Sequence, residues 1–211
     1  MAELIGRDAQ ENSFARQFGR LSARHRRELE DLLGDPPDPT RVPAAFWDRV
    51  RRETEEELFL LIYLLFLTSA QQHGDVGAAL TTAGTLFAGA GGSAVTRARS
   101  VAQSYVDHSR ELMAGGATPM AVFAPERIAG VAVTEVTAAV TAGSEFAVAR
   151  GPGGLSEEDL WQTELDDRVC VYCSPLQGRP RSVWQWAVPE GPPAHPRCRC
   201  WISYAADQAP G

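Results

Sequence analysis

The sequence contains no lysine, and its 20 basic residues, all arginine, are outnumbered by 27 acidic residues, giving a net charge of -7. A general nucleic-acid coat needs a broad basic surface to neutralise phosphates, so this balance disfavours that class. The longest apolar run, LFLLIYLLFL at 58–67, is too short to cross a bilayer, which takes about 20 residues. The first residues, MAELIGRDAQ, lack the basic start and apolar run of a secretory signal, so we expect folding in a reducing compartment and no membrane partner.

Apolar residues recur at helical spacing through most of the chain before residue 150. We predict an amphipathic helix from Ser13 to Leu33, within an N-terminal region 1–34, and a proline-rich linker at 35–42 that cannot continue it. A helical region, 43–150, follows. Its helices are predicted from Pro43 to about His73, from Ser93 to about Met113 and from Pro125 to about Arg150. A Gly/Pro linker, 151–154, precedes a C-terminal module, 155–211. The expected fold class is mainly α, with a helical N-terminal region followed by a small α+β module rich in cysteine and histidine.

The apolar run 58–67 is predicted to lie inside a helix. A helix that is apolar on every side is buried on every side, either in the middle of a bundle or against another subunit. We therefore expect a core helix here, with oligomerisation through this helix as the alternative.

All four cysteines lie in the C-terminal module, as Cys170-x2-Cys173 and Cys198-x-Cys200, and His195 stands three residues before Cys198. A Cys-x2-Cys turn presents two thiolates to one ion, and His-x2-Cys adds an imidazole and a third thiolate, which together suit tetrahedral zinc. All five side chains are candidate metal ligands for four positions, and the spacing does not choose the spare. Two disulfides, free buried thiols or a redox pair remain alternatives.

Two short elements are predicted inside the module. Ser156 with Asp159 has the spacing of a capping box, which predicts a short helix that delivers Trp161. Val183, Trp184 and Trp186 form an aromatic run that predicts a strand between the two halves of the metal site. A module of about 55 residues has a marginal core, so we expect a bound structural zinc to contribute folding free energy.

The sequence of the module resembles the C-terminal signature of the phage Mu F-like minor head proteins, also called head morphogenesis proteins. The signature residues outside the ligand set are Trp161, Asp167, Arg168 and Arg199, and the last three stand beside the cysteines. The full match is Trp161-Gln162-Thr163, Asp167-Arg168-Val169-Cys170, Cys173, Leu176, Gly178, Pro192-Pro193, His195-Pro196 and Cys198-Arg199-Cys200, preceded by Arg127-Ile128-Ala129 and Thr134-Glu135. The resemblance covers roughly residues 125–204, and Val171 departs from it where a proline is common.

The resemblance implies a structural, non-enzymatic protein of a tailed-phage head. Such a minor capsid protein acts at or near the portal, on the inside of the capsid, in head morphogenesis and in genome delivery. Its expected partners are the portal protein, the major capsid protein and packaged DNA. Its expected location is the virion, after the host cytoplasm during assembly.

A zinc-ribbon protein that binds nucleic acid is the alternative function. In that case Arg179, Arg181, Arg197 and Arg199 would meet phosphates, although the many acidic residues of the module count against it. Catalysis is not expected, because a thiolate-rich closed site leaves no coordination position for substrate and no catalytic residue is apparent.

Overall fold

The computed structural model describes residues 6–73, 90–164 and 169–208. It is mainly α-helical, with one small two-stranded sheet and a Cys/His cluster near the C-terminus, which confirms the predicted fold class. The helices are α1 (Arg7–Leu33), α2 (Ala44–His73), α3 (Ala90–Ala114), α4 (Pro119–Val122), α5 (Pro125–Arg150) and α6 (Arg181–Ala187). The strands are β1 (Leu160–Gln162) and β2 (Trp201–Ser203).

The described residues form two compact units. The first takes in residues 6–62 and 90–132, and the second takes in residues 63–73, 133–164 and 169–208. The predicted domain boundaries were placed at segments rich in proline and glycine, whereas these two units are defined by contacts between residues. The predicted boundaries therefore stay predictions.

The first unit is built on the buried stripe of α1. Phe14, Phe18 and Leu29 are almost completely buried, as the helical spacing predicted. A buried polar group on the same helix pairs with a second helix: the hydroxyl of Ser22 lies 3.0 Å from that of Tyr105, on α3. The helix ends at Gly34, whose φ of 72° lies in the left-handed region that glycine adopts without strain.

The apolar run in α2 is buried on one side only. Leu58, Ile62 and Phe66 are buried, whereas Leu60 and Leu64 are 56% and 59% exposed. The prediction of burial on every side is therefore wrong for the face that carries Leu60 and Leu64, because composition alone does not show which face of a helix meets the core. Contact with another subunit through this helix stays a prediction.

In the second unit, the C-terminal half of α2 packs closely on α5. A Cβ at Gly143 would collide with the backbone carbonyl of Phe66, so glycine is required at this crossing. The hydroxyl of Ser69 lies 2.8 Å from the carbonyl oxygen of Val140 and 2.7 Å from the hydroxyl of Ser144, which satisfies these buried polar atoms. Glycine therefore lowers the helix propensity of α5 at this position but allows α2 and α5 to pack closely.

The sheet of this unit pairs β1 and β2 antiparallel, with Trp161 opposite Ile202. The predicted helix after Ser156 is wrong: the chain turns there and enters β1. The Ser156 amide does donate to the Asp159 carboxylate, as in a capping box, at 3.0 Å. The same carboxylate also accepts from the amide of Ala205 at 3.0 Å, which ties this turn to the chain after β2 instead of to a helix.

The predicted strand at Val183, Trp184 and Trp186 is also wrong, since these residues lie in α6. A strand would place Trp184 and Trp186 on one face. In the helix, Trp184 is buried and its indole N–H donates to the carbonyl of Asp159 at 3.0 Å, while Trp186 is 89% exposed. A long-range hydrogen bond therefore decides the conformation of a segment too short to show a period.

Among the described residues, one stretch, Pro119–Arg150, is long and apolar enough to cross a membrane by length and composition. Of its most apolar window, 56% is buried within the protein, and a buried core helix passes the same test.

Candidate metal centre

The first half of the site is a tight turn that carries Cys170 and Cys173. The amide of Cys173 lies 3.2 Å from the carbonyl oxygen of Cys170 and 3.3 Å from its sulfur, and the amide of Ser174 donates to the same carbonyl at 3.0 Å. A short 3-10 helix, Ser174–Leu176, continues the turn. The backbone therefore aims both thiols to one side and offers an N–H to a sulfur, as a thiolate ligand requires.

The second half is the loop that leads into β2. It carries His195, Cys198 and Cys200, and the amide of Cys198 closes a turn on the carbonyl of His195 at 3.1 Å. Arg197, between them, has a φ of 62°, which side chains other than glycine rarely adopt. The loop backbone, with Arg197 in the left-handed region, thus directs the side chains of the histidine and the two cysteines toward the cluster.

Helix α5 holds this loop in place through two threonine hydroxyls. Thr137 donates to the carbonyl of Cys198 at 2.7 Å, and the amide of Arg197 donates to the hydroxyl of Thr134 at 2.9 Å. Sequence reasoning missed Thr137, because nothing in the spacing of a buried threonine on a helix links it to a cysteine loop. The two contacts fix the backbone on which two of the candidate ligands stand.

The ligand atoms converge as two overlapping groups. One group is Cys170, Cys173 and His195, the other is Cys173, Cys198 and Cys200, and within each group all ligand atoms lie within 4.8 Å of one another. Nε2 of His195 lies 2.8 Å from the sulfur of Cys170 and 3.4 Å from that of Cys173, and the Cys173 and Cys198 sulfurs are 3.9 Å apart. The structure thus brings all five candidate ligands together, with Cys173 common to both groups, and these Cys/His groups could hold a metal ion.

The imidazole of His195 is oriented for this role. Its Nδ1 lies 2.8 Å from the carbonyl oxygen of Pro196. Nδ1 must carry the proton to donate to that oxygen, which leaves the lone pair of Nε2 facing the sulfurs. Metal-bound histidines are oriented in the same manner by a backbone or carboxylate acceptor.

The thiols differ in how readily they lose a proton. Burial raises the pKa of Cys173 to about 12, whereas a hydrogen bond from Cys200 lowers the pKa of Cys198 to about 5. The same hydrogen bond raises the pKa of Cys200. At Cys170 burial is outweighed by donation from the amides of Cys173 and Tyr172, so its pKa is lowered. Burial also opposes the imidazolium of His195, but the Pro196 carbonyl and the neighbouring sulfurs outweigh it and raise the pKa. A cation that displaced the remaining protons would meet a preformed set of donors.

The cluster sits in the core of the second unit. Cys173, Cys198 and Cys200 are buried among Trp161, Trp184, Ile202, Tyr204 and Val148. All four cysteines are free thiols in the structure, so the disulfide alternative is not what the chain adopts there. Trp161 of the signature is completely buried in this core, and Arg199 lines the shallow opening above the cluster. Asp167 and Arg168 lie outside the described residues.

A buried ion pair supports the same core and was missed in the sequence. The carboxylate of Asp159, fully buried, lies 3.2 Å from Nε of Arg181, whose Nη1 lies 3.0 Å from Glu145 on α5. Arg181 is 8% exposed. A side chain in this position does not reach a phosphate, which removes one of the four arginines from the predicted nucleic-acid surface. No sequence signal distinguishes this arginine from its exposed neighbours.

No family model, curated protein or solved structure matches the chain. The interpretation of the site therefore depends on its geometry and on the signature residues themselves.

Proposed function

We propose that the protein is a structural assembly protein of a tailed-phage head, a minor capsid protein that acts at or near the portal. The observation that supports it is the convergence of the signature: Cys170, Cys173, His195, Cys198 and Cys200 are spread over 31 positions of the sequence and lie together in two groups that share Cys173. Because the signature residues are also close together in space, the proposal has support beyond the sequence resemblance.

We further propose that the bound ion is zinc in a structural site. Zinc binds thiolate sulfur at about 2.3 Å and imidazole nitrogen at about 2.0–2.1 Å in a tetrahedron, which sets sulfurs about 3.8 Å apart and sulfur and nitrogen about 3.5 Å apart. The 3.9 Å between the sulfurs of Cys173 and Cys198 and the 3.4 Å between the Cys173 sulfur and Nε2 of His195 fit these spacings. The 2.8 Å between Nε2 of His195 and the Cys170 sulfur is shorter, so these two side chains must move apart when the ion binds. The proposed ligands are Cys170, Cys173, His195 and Cys198, with Cys200 hydrogen-bonded to Cys198.

A closed zinc site of this kind supplies rigidity and no reaction. Three thiolates and an imidazole leave no coordination position for a substrate. The buried side chains packed on the cluster are tryptophan, isoleucine, valine and tyrosine, while Glu164 and Arg199 line its opening. The role proposed for the module is therefore to bind a partner as a rigid platform.

Exposed apolar side chains support partner binding by this module. Trp186 is 89% exposed and Val183 is 47% exposed, three residues apart on α6. Val171 and Tyr172, in the turn between the first two cysteines, are 80% and 79% exposed. Tryptophan and tyrosine are enriched where proteins bind each other. The portal protein is the proposed partner, and the major capsid protein the second.

The zinc-ribbon alternative is less supported. Its four arginines would include Arg181, which is buried and paired with Asp159 and Glu145. The proposed function also covers contact with packaged DNA, but only through the remaining exposed arginines.

The metal is tested by elemental analysis of protein purified under reducing conditions without chelator, together with thiol titration before and after denaturation. One zinc per chain, with thiols that react only after the metal is stripped, is expected. Cys200→Ser should keep the zinc, and Cys198→Ser should lose it. Four freely reactive thiols without metal would refute the zinc proposal.

The assembly role is tested by mixing the zinc-loaded protein with purified portal protein and following co-sedimentation. Trp186→Ser, on the surface, should reduce binding at least about tenfold, as loss of a central aromatic contact does, and should leave the zinc content unchanged. Binding to duplex DNA that weakens steeply with salt, without binding to portal protein, would support the nucleic-acid alternative instead.

A further inference from the structure

Helix α1 contains a glycine that the fold of the chain does not explain. Gly19 lies in the middle of α1, where glycine costs about 1 kcal/mol relative to alanine. A Cβ built on Gly19 would meet no atom within 4 Å, unlike one on Gly143, which would collide with a neighbouring helix. No close contact within the described residues therefore requires glycine at position 19.

The open space beside Gly19 is a groove in the first unit. One wall is α1, and the other is formed by α4 and the start of α5; the cavity has a volume of about 380 Å³. The floor on α1 is a row of small residues one turn apart, Ala15, Gly19 and Ala23, and the opposite wall carries Met120, Phe123 and Ile128. Small residues in such a row let a second helix approach the backbone closely.

The size of the groove suits a helix. Its lining extends along α1 from Asn12 to Arg26, which is about 21 Å at 1.5 Å per residue. Met120 is 53% exposed at its edge, although methionine adapts readily to a packed partner. An amphipathic helix that lays an apolar stripe into such a groove buries this surface.

The charged side chains that line the groove indicate which kind of helix would bind there. The lining includes Arg16 and Arg26 and no carboxylate, in a chain whose net charge is -7. Arg26 has one long ion-pair contact, 3.9 Å to Glu30 on the same helix, and its Nη1 donates to the sulfur of Met120. Arg20, on the next exposed position of α1, adds a further positive charge. A helix that carried its own arginines, such as α1 of a second copy, would meet like charges at these positions.

We propose that this groove is a docking site for an amphipathic helix of a partner protein, with an apolar stripe that packs on Ala15, Gly19 and Ala23 and with carboxylates on its flanks that meet Arg16 and Arg26. The glycine then serves the bound state, because it lets the partner helix lie close to α1. This inference depends on the first unit alone and does not rely on the metal site or on the proposed function.

The test uses the full chain and two synthetic helical peptides of about 18 residues, enough to fill a groove of this length. Both carry the same leucine and alanine stripe; one is flanked by glutamate and the other by lysine. Binding of fluorescein-labelled peptide is followed by anisotropy. The glutamate peptide should bind at least about tenfold more tightly than the lysine peptide.

Three variants complete the test. Gly19→Leu fills the groove and should reduce binding of the glutamate peptide more than about tenfold, and Gly19→Ala, whose methyl group keeps the partner helix farther from α1, should reduce it about three- to tenfold. The pair Arg16→Glu and Arg26→Glu should reverse the preference between the two peptides. Circular dichroism should show a folded protein for each, since the substituted positions face the groove.

Several results would overturn the proposal. Equal binding of the two peptides would remove the charge argument, and unchanged binding in Gly19→Leu would place the peptide elsewhere. A dimer in sedimentation velocity that Gly19→Leu dissociates would show that a second copy of the chain occupies the groove. Loss of zinc or of portal binding would leave this proposal intact, because neither involves α1.

Discussion

Replacement of Asp159 by alanine should destabilise the second unit more than any other single change to a surface or buried carboxylate there. Asp159 is fully buried and its two carboxylate oxygens accept three hydrogen bonds, from the amides of Ser156 and Ala205 and from Nε of Arg181. The alanine variant leaves two amides and a mostly buried guanidinium without this acceptor. Removal of one partner from a buried ion pair typically costs about 3–5 kcal/mol, and we expect a loss of that size.

The expected loss is a large fraction of the total free energy of unfolding. Domains of this size unfold with about 5–15 kcal/mol. Asparagine should recover part of it: its amide oxygen can accept from both Ser156 and Arg181, but the NH2 group then faces the amide of Ala205. We therefore expect Asp159→Asn to cost less than Asp159→Ala but still more than about 1 kcal/mol.

The assay is equilibrium unfolding in urea at fixed metal concentration, followed by tryptophan fluorescence. Four of the five tryptophans, Trp161, Trp184, Trp186 and Trp201, lie in the C-terminal module. Glu145→Ala is the matched control, because Glu145 pairs with the same arginine but its side chain is 34% exposed. A partly exposed pair contributes about 1 kcal/mol or less. Equal losses for the two variants, or a loss below about 1 kcal/mol for Asp159→Ala, would refute the role assigned to the buried carboxylate.

Three further predictions follow from other sites. Gly143→Ala should destabilise by about 1–3 kcal/mol in urea unfolding, because its Cβ collides with the carbonyl of Phe66, whereas Gly19→Ala should stabilise by about 0.5–1 kcal/mol; the same sign for both would contradict the packing argument. Burial lowers the pKa of His25 in the folded protein below the unfolded-state value of about 6.5. The free energy of unfolding should therefore fall as the pH drops from about 6.5 through the folded-state pKa. His25→Gln should flatten this pH dependence, and an unchanged pH dependence in that variant would refute the prediction. Cys173→Ser should abolish metal binding, since Cys173 belongs to both ligand groups, while Val171→Ser, two residues away and exposed, should leave the metal content unchanged in elemental analysis.

The long helices could be predicted from the sequence because many residues contribute to each period. Helix α5 occupies Pro125–Arg150, the predicted range, because a proline opens it and a Gly-Pro segment follows it. Helix α1 begins earlier than predicted, at Arg7, since its first two turns carry no apolar stripe. Such ends depend on ion pairs like that of Arg7 with Glu11, at 2.9 Å.

The convergence of the five candidate ligands could also be predicted, because cysteine and histidine at these spacings have few other uses. The short elements around them could not. Whether seven residues form α6 or a strand depends on a hydrogen bond from the Trp184 indole to a residue 25 positions away. The exposed face of α2 at Leu60 and Leu64 is likewise invisible in the composition of the helix.

The two threonine contacts of α5 have a consequence for the order of folding during synthesis. Thr137 and Thr134 bind backbone groups that lie 61 and 63 residues later in the chain. On the ribosome the helix therefore emerges well before the loop that it anchors, and the loop has no anchor until the helix is in place. Cys198, whose carbonyl accepts from Thr137, is therefore held in its position in the site only after α5 has folded.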